Sequence, residues 1–270
     1  MTMDNVNLQE CRLCHNAAKP IFEHQVLGKH NVQYYICDNC DALMTEDPYW
    51  LEEAYSSNLC VLDVGAVARV MANFSALMCL SRIFSIKSSI DFGGSDGLLT
   101  RMLRDYGLKA FSEDKYAKAT YARGYTAPEF MTPDLISAFE VFEHMAKPID
   151  DLDYLFGKKP KIIIFSTELY SGQGKNWSYL APEEGQHILF HTKKSLKMVG
   201  DKYKYKFIIV GRYKMFVSQD SYSAARVFLL KCFLRIPVLS LIRALLMFRY
   251  PSKNFMNDFH ELQKGLQDKS

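Results

Sequence analysis

IDFGGSDG, residues 90–97, lies between a short β-prone stretch, SSI, and the helix-like run LLTRMLRDYG that ends at Gly107. Two acids and three glycines within eight positions at a strand exit predict a tight strand-to-helix turn, in which a ligand can approach bare backbone. Outward from this turn the chain alternates. LKAFSED reads as a strand and YAKATYARGY as a helix; PDLISAFEVFEH is a strand with its exit, IDDLDYLFG a short helix, and PKIIIFSTEL a β-branched central strand. KKSLKMVGDKY follows as a helix, and YKFIIVGRYKMFVSQ gives two strands around Gly211, an antiparallel edge hairpin. Upstream, WLEEAY and VLDVGAVARVMANFSALMCLSRIF carry apolar residues at helical spacing. The alternation predicts an α/β fold, a doubly wound, mostly parallel sheet with helices on both faces and ligands at the carboxyl ends of its strands.

At 270 residues the chain has room for one such domain and a small extra module. Nearly half of it is apolar and no repeat or low-complexity tract interrupts it, which places it among globular chains. A net charge of +3 is too small to indicate a nucleic-acid partner, which calls for a concentrated basic face. The opening MTMDNVNLQE lacks the charged-then-apolar layout of a secretory signal, so a cytoplasmic location is expected.

In that reducing setting the cysteines read as thiolates on a metal. Cys11 and Cys14 form one C-x-x-C pair, Cys37 and Cys40 a second, with 22 residues between the pairs and the strand-like VQYYI leading into the second. Two such turns supply four sulfurs for tetrahedral zinc, in a segment too small to fold on its own core. A closed four-sulfur shell makes that zinc structural. A redox role fits less well, because a redox C-x-x-C normally occurs once, beside a βαβ unit. His15, His24 and His30 are read as solvated, and Cys60, Cys79 and Cys232 as core residues.

The glycine spacing does not fit G-x-G-x-x-G, so a dinucleotide is not the expected ligand. The segment resembles the first motif of class I S-adenosylmethionine-dependent methyltransferases, D/E-x-G-x-G-x-G, with Asp91, Gly93 and Gly97 in register, Gly94 between them and Ser95 in place of the middle glycine. The resemblance implies a Rossmann-like methyltransferase fold. It also implies that the turn admits the methionine part of the donor and that Asp91 accepts from its ammonium group. Asp114, with Glu113 beside it, stands where the family's second strand ends on a carboxylate for the ribose hydroxyls. DLISAFEVFEHMAKP is similar to the superfamily's fourth-strand motif with an E-H pair followed by Pro, here Glu143, His144 and Pro148, and Glu140 at this strand exit joins the implied donor site.

WSYLAPEEGQHILFHTKKSL resembles a segment of sugar C-methyltransferases that act on nucleotide-linked ketosugars and also begin with a four-cysteine zinc module. Gln186 replaces that family's glutamate, and His187 remains. The resemblance implies His187 as general base, since imidazole titrates near neutrality, with His144 second. Tyr170, Trp177 and Tyr179 are candidates for a substrate wall. The implied acceptor is a small molecule, a nucleotide- or lipid-linked sugar; aromatic or quinone acceptors share the E-H-x-x-x-P segment. Ser95 and Gln186, the two departures, also admit a non-catalytic module that binds the donor, and a nicotinamide enzyme is a weaker third reading.

The organisation expected is a zinc ribbon over 1–58, the methyltransferase domain over 59–222 and a helical tail over 223–270. In the tail, ARVFLLKCFLRIPVLSLIRALLMFRY is interrupted by Arg235 and Pro237 and is no bilayer span. Lys231, Arg235, Arg243 and Arg249 fall on one broad side, which allows a helix pair packed on the domain, on a second copy in a homodimer, or on an anionic membrane. NDFHELQKGLQDKS reads as a polar, frayed final helix.

Overall fold

The computed structural model describes residues 8–56, 64–248 and 252–267; Cys60, Arg249 and the boundary expected between 58 and 59 lie outside them. The cysteine-rich front folds as β1 (Gln9–Glu10), β2 (Ala17–Val26), β3 (His30–Cys37) and β4 (Leu43–Thr45), an antiparallel meander. A short helix α1 (Leu51–Ala54) and a long one, α2 (Ala66–Ile83), lead into the second sheet. By length and composition α2 could cross a membrane. Here its stretch from Asn73 to Leu80 is buried, and it packs against α3 and the tail helices as a core helix does.

Then come β5 (Ser88–Phe92), α3 (Leu98–Asp105), β6 (Lys109–Glu113), β7 (Leu135–Phe139), α4 (Pro148–Gly157) and β8 (Ile162–Ser166). After β9 (Leu189–Phe190) and α5 (Lys193–Tyr203), β10 (Tyr205–Val210) and β11 (Tyr213–Ser218) form the hairpin around Gly211. The larger sheet has the order β10-β11-β8-β7-β5-β6, with β8, β7, β5 and β6 parallel and the hairpin antiparallel. The fold is α/β, as the alternation predicted. β8 is buried at all five residues, the pattern of a central strand covered on both faces. Chain order reverses at β5, which has β6 on one side and β7 on the other, and the carboxyl end of β5, where such sheets take their ligands, is where residues 90–97 make their turn.

Two expectations need correction. YAKATYARGY is no helix; residues 116–120 are irregular and 121–124 form a turn. Tyr121 N–H donates to the Asp96 carbonyl at 2.9 Å, and Thr126 bridges to Ser112 beside β6. A ten-residue helix, about 15 Å long, would carry the chain away from both contacts. The last helix, α8 (Ser252–Gln267), is docked rather than frayed, because Asp258 takes hydrogen bonds from Arg104 at 2.8 and 2.7 Å and from Arg101 at 2.7 Å. The four-cysteine segment, read as too small to fold on its own core, shares both sheet and core with the rest of the chain. β9, nearly 150 residues downstream, pairs with β4 as the fifth strand of the front sheet, and Cys11, Leu13 and Met44 share one buried cluster with Ile136, Ile163 and Phe216.

The tail helices α6 (Ala224–Phe233) and α7 (Ile236–Met247), the latter with Pro237 in its first turn, lie against α2. Phe228, Ile236, Leu241, Leu245 and Phe248 remain exposed on them.

Candidate functional site

The glycine turn is shaped by what lies beneath it. Asp91 is buried at the end of β5 and accepts from Ser137 Oγ at 2.7 Å. Burial raises its carboxyl to about 7, and the nearby Asp114 and Asp96 charges add to the rise. Gly94 sits directly on it: a Cβ there would fall 2.8 Å from Asp91 Oδ2 and from Ser112 Oγ. Gly93 has φ +72°, and its Cβ would meet Val141 at 2.5 Å, so the turn rests on the exit of β7. Ser95, in place of a glycine, keeps the left-handed conformation at φ +48°. Its N–H donates to Asp114 Oδ2 at 2.9 Å, while Asp114 Oδ1 accepts from Tyr116 and Ala117 N–H at 2.8 and 2.7 Å. Asp114 therefore holds the turn and the segment after β6 together, and Glu113 is bonded by Tyr154 OH at 2.5 Å. Gly97, at φ +80°, opens α3 and packs on Ala119 and Ala122.

Beside the turn, the exit of β7 gathers a second group. Glu140, at φ +53°, accepts from Ser166 Oγ. Tyr179 OH lies 2.5 Å from Glu143 Oε1, 3.4 Å from Glu140 Oε2 and 3.2 Å from Thr167 Oγ1. Glu143 is fully buried, which with the Glu140 charge raises its carboxyl to about 8. Its Oε2 has no hydrogen-bond partner. His144 Nδ1 is 3.1 Å from the Gln186 carbonyl and from Tyr55 OH, and His187 Nδ1 is 2.6 Å from the Tyr179 carbonyl. A carbonyl only accepts, so in both rings Nδ1 carries the proton and Nε2 keeps the lone pair. Burial lowers both imidazoles, His144 to about 3, and keeps them neutral. One ligand atom each from Glu143, His144 and His187 lies within 4.8 Å of the others.

The four front cysteines meet as spaced. Cys11 and Cys40 sulfurs are 3.7 Å apart, Cys14 and Cys37 3.4 Å, and all four lie within 4.8 Å of one another. Zinc–sulfur bonds of about 2.3 Å at tetrahedral angles need separations of about 3.8 Å, so the set fits zinc. Asn39 N–H donates to Cys37 Sγ and Asn16 Nδ2 to Cys14 Sγ. His15 is exposed, His24 is half-buried, His30 pairs with Glu53, Cys79 is buried and Cys232 is half-buried.

Thus the predicted residues fall into three groups: the turn with Asp91 and Asp114, the β7 exit with His144 and His187, and the thiols. Sequence reading missed two contributors. Tyr55 stacks on Tyr116 at 4.5 Å, bonds His144 and so bridges the turn segment and the histidines. The Tyr179 carbonyl orients His187, the part expected of a side chain at position 186; Gln186 instead donates to the Ala54 carbonyl at 2.8 Å. Of the proposed aromatic wall, Tyr179 meets His187 at 4.6 Å, whereas Tyr170 is buried behind Trp177.

Residues 29–208 match a family described as a methyltransferase domain. A search of the curated proteins returns no match. Among solved structures, the bacterial CtHen1 methyltransferase domain aligns at 18% identity over 55% of this chain and 97% of its own, with a TM-score of 0.41. Magnesium protoporphyrin IX methyltransferase from Synechocystis with bound SAH aligns at 14% identity over 63% and 93%, TM-score 0.45. Human N-acetylserotonin methyltransferase in complex with SAM aligns at 12% over 63% and 65%, TM-score 0.37.

Proposed function

This chain belongs to that methyltransferase-domain family, and from this premise we propose that it transfers a methyl group from S-adenosylmethionine to a small-molecule acceptor, a nucleotide- or lipid-linked sugar. The observation that carries the reading is the tight glycine turn at the carboxyl end of β5, at the point of strand-order reversal, with His144 after β7 and His187 ahead of β9 side by side.

When bound, S-adenosylmethionine supplies an electrophilic methyl on a sulfonium. The chain's own residues do the rest. The glycine turn and Asp91 receive the amino-acid end, and Glu113 and Asp114 edge the ribose side. His187, held by the Tyr179 carbonyl, is placed to take the acceptor's proton through Nε2, with His144 next to it at 4.9 Å between ring centroids. Alignment of donor and acceptor supplies much of the rate. The four thiols hold a structural zinc that keeps the front sheet in place, and the exposed apolar side chains of α6 and α7 with their basic neighbours suit the inner face of a membrane carrying a lipid-linked acceptor.

Calorimetry of the zinc-loaded protein with S-adenosylhomocysteine, followed by mass spectrometry of sugar nucleotides incubated with S-adenosylmethionine, tests this. Micromolar binding and a gain of one methyl group are expected; absence of donor binding by folded protein overturns the reading.

A further inference from the structure

We infer that Glu143, His144 and His187 bind one divalent first-row transition-metal ion, at a site separate from the four thiols. Their ligand atoms already lie within 4.8 Å of one another, so a small contraction brings them to a common centre. Glu143 is fully buried, one of its oxygens holds Tyr179 OH, and the other, Oε2, is left without a hydrogen-bond partner. A buried carboxyl oxygen is not left bare without cause. A cation is the partner that such an oxygen and two imidazole lone pairs would share.

The surroundings agree. Each ring is fixed at Nδ1 by a backbone carbonyl, of Gln186 or Tyr179, the outer hydrogen bond that orients metal-binding histidines and sets their tautomer. Glu140, linked to Glu143 through Tyr179 OH, adds a second carboxylate to offset the charge, and its left-handed backbone is strain held at this spot. Two nitrogens and a carboxylate favour manganese, iron(II), cobalt or zinc over magnesium or calcium, and three protein ligands leave positions open, unlike the closed four-sulfur set.

The consequence for chemistry rests on the methyl-transfer reading. An acceptor oxygen occupying an open position is acidified by the cation and gives up its proton to solvent. The oxygen's lone pair then forms the bond to the methyl carbon while the carbon–sulfur bond breaks and its electron pair stays on sulfur. One methyl and one proton are exchanged. In this ion-bound form the imidazoles are ligands, and this route replaces the proton transfer to His187 proposed above.

The test uses the full, zinc-loaded chain. Free Mn2+ followed by electron paramagnetic resonance should show one ion bound per chain. Glu143→Gln and His187→Ala should each weaken binding at least tenfold, and Lys197→Ala, on the exposed face of α5, should leave it unchanged. Should a variant not fold, Co2+ added to the zinc-loaded wild type decides: nitrogen- and oxygen-ligand bands without thiolate charge transfer support the site. No bound Mn2+ or Co2+, or binding undiminished in both folded variants, overturns it. Calorimetry with S-adenosylhomocysteine separates the two readings: ion binding without donor binding removes methyl transfer and keeps the site, and the reverse removes the site alone.

Discussion

Asp91 shows how one side chain couples the turn to pH. Buried under Gly94, its carboxyl lies near 7, against about 3.9 in an unfolded chain. Between those values the folded protein keeps a proton that the unfolded chain has lost. Stability therefore falls as pH rises from about 4 to about 7, and this contribution is flat above. Asp91→Asn keeps the bond from Ser137 and removes the titration. Denaturant unfolding across this range should show a shallower decline in the variant and parallel curves above about pH 7; parallel curves throughout would mean that Asp91 is ionised in the fold. At this scale the sequence was informative about identity more than about employment. Asp91, Gly93 and Gly97 stand where their spacing put them, because local turn geometry is written in adjacent residues. Asp114 is occupied by three backbone N–H groups, a use that no spacing states.

Among elements, those with strong periodicity or β-branching were legible: α3, α4, α5, β8 and the β10–β11 hairpin all fall where the pattern puts them. Failures arose where partners distant in the chain decide the outcome. Residues 116–125 have helical composition but are pinned to Asp96 and Ser112. The final helix has a polar sequence, yet Asp258 enters a cage of Arg101, Arg104 and Tyr125, whose ring lies 3.3 Å from the Arg104 guanidinium. Asp258→Ala would strand a buried guanidinium, at a cost of about 3–5 kcal/mol. Melting should fall by on the order of 10 °C and amide protection over 252–267 should be lost. An unchanged melting temperature would show that the pair offsets only its own desolvation.

At the scale of the whole molecule, the front sheet and the histidine segment form one mechanical unit. β9 pairs Leu189 with Met44 and Phe190 with Leu43, and the Arg12 guanidinium donates to the Ile188 carbonyl at 2.5 Å. His187 precedes this splice by two residues. Removal of the proposed zinc with a chelator is expected to raise hydrogen exchange over 185–192 as well as over the cysteine turns, and to lower methyl transfer although the metal touches no reactant. Exchange confined to residues 8–45 would show the two regions to be independent. The splice also bears on inheritance. A front module that borrows a strand from its host cannot be transplanted as a cassette, and a chain cut ahead of α2 would expose the Leu189–Phe190 backbone as an unclaimed edge, open to pairing with another copy. Attached together with its recipient strand, the module keeps that edge covered.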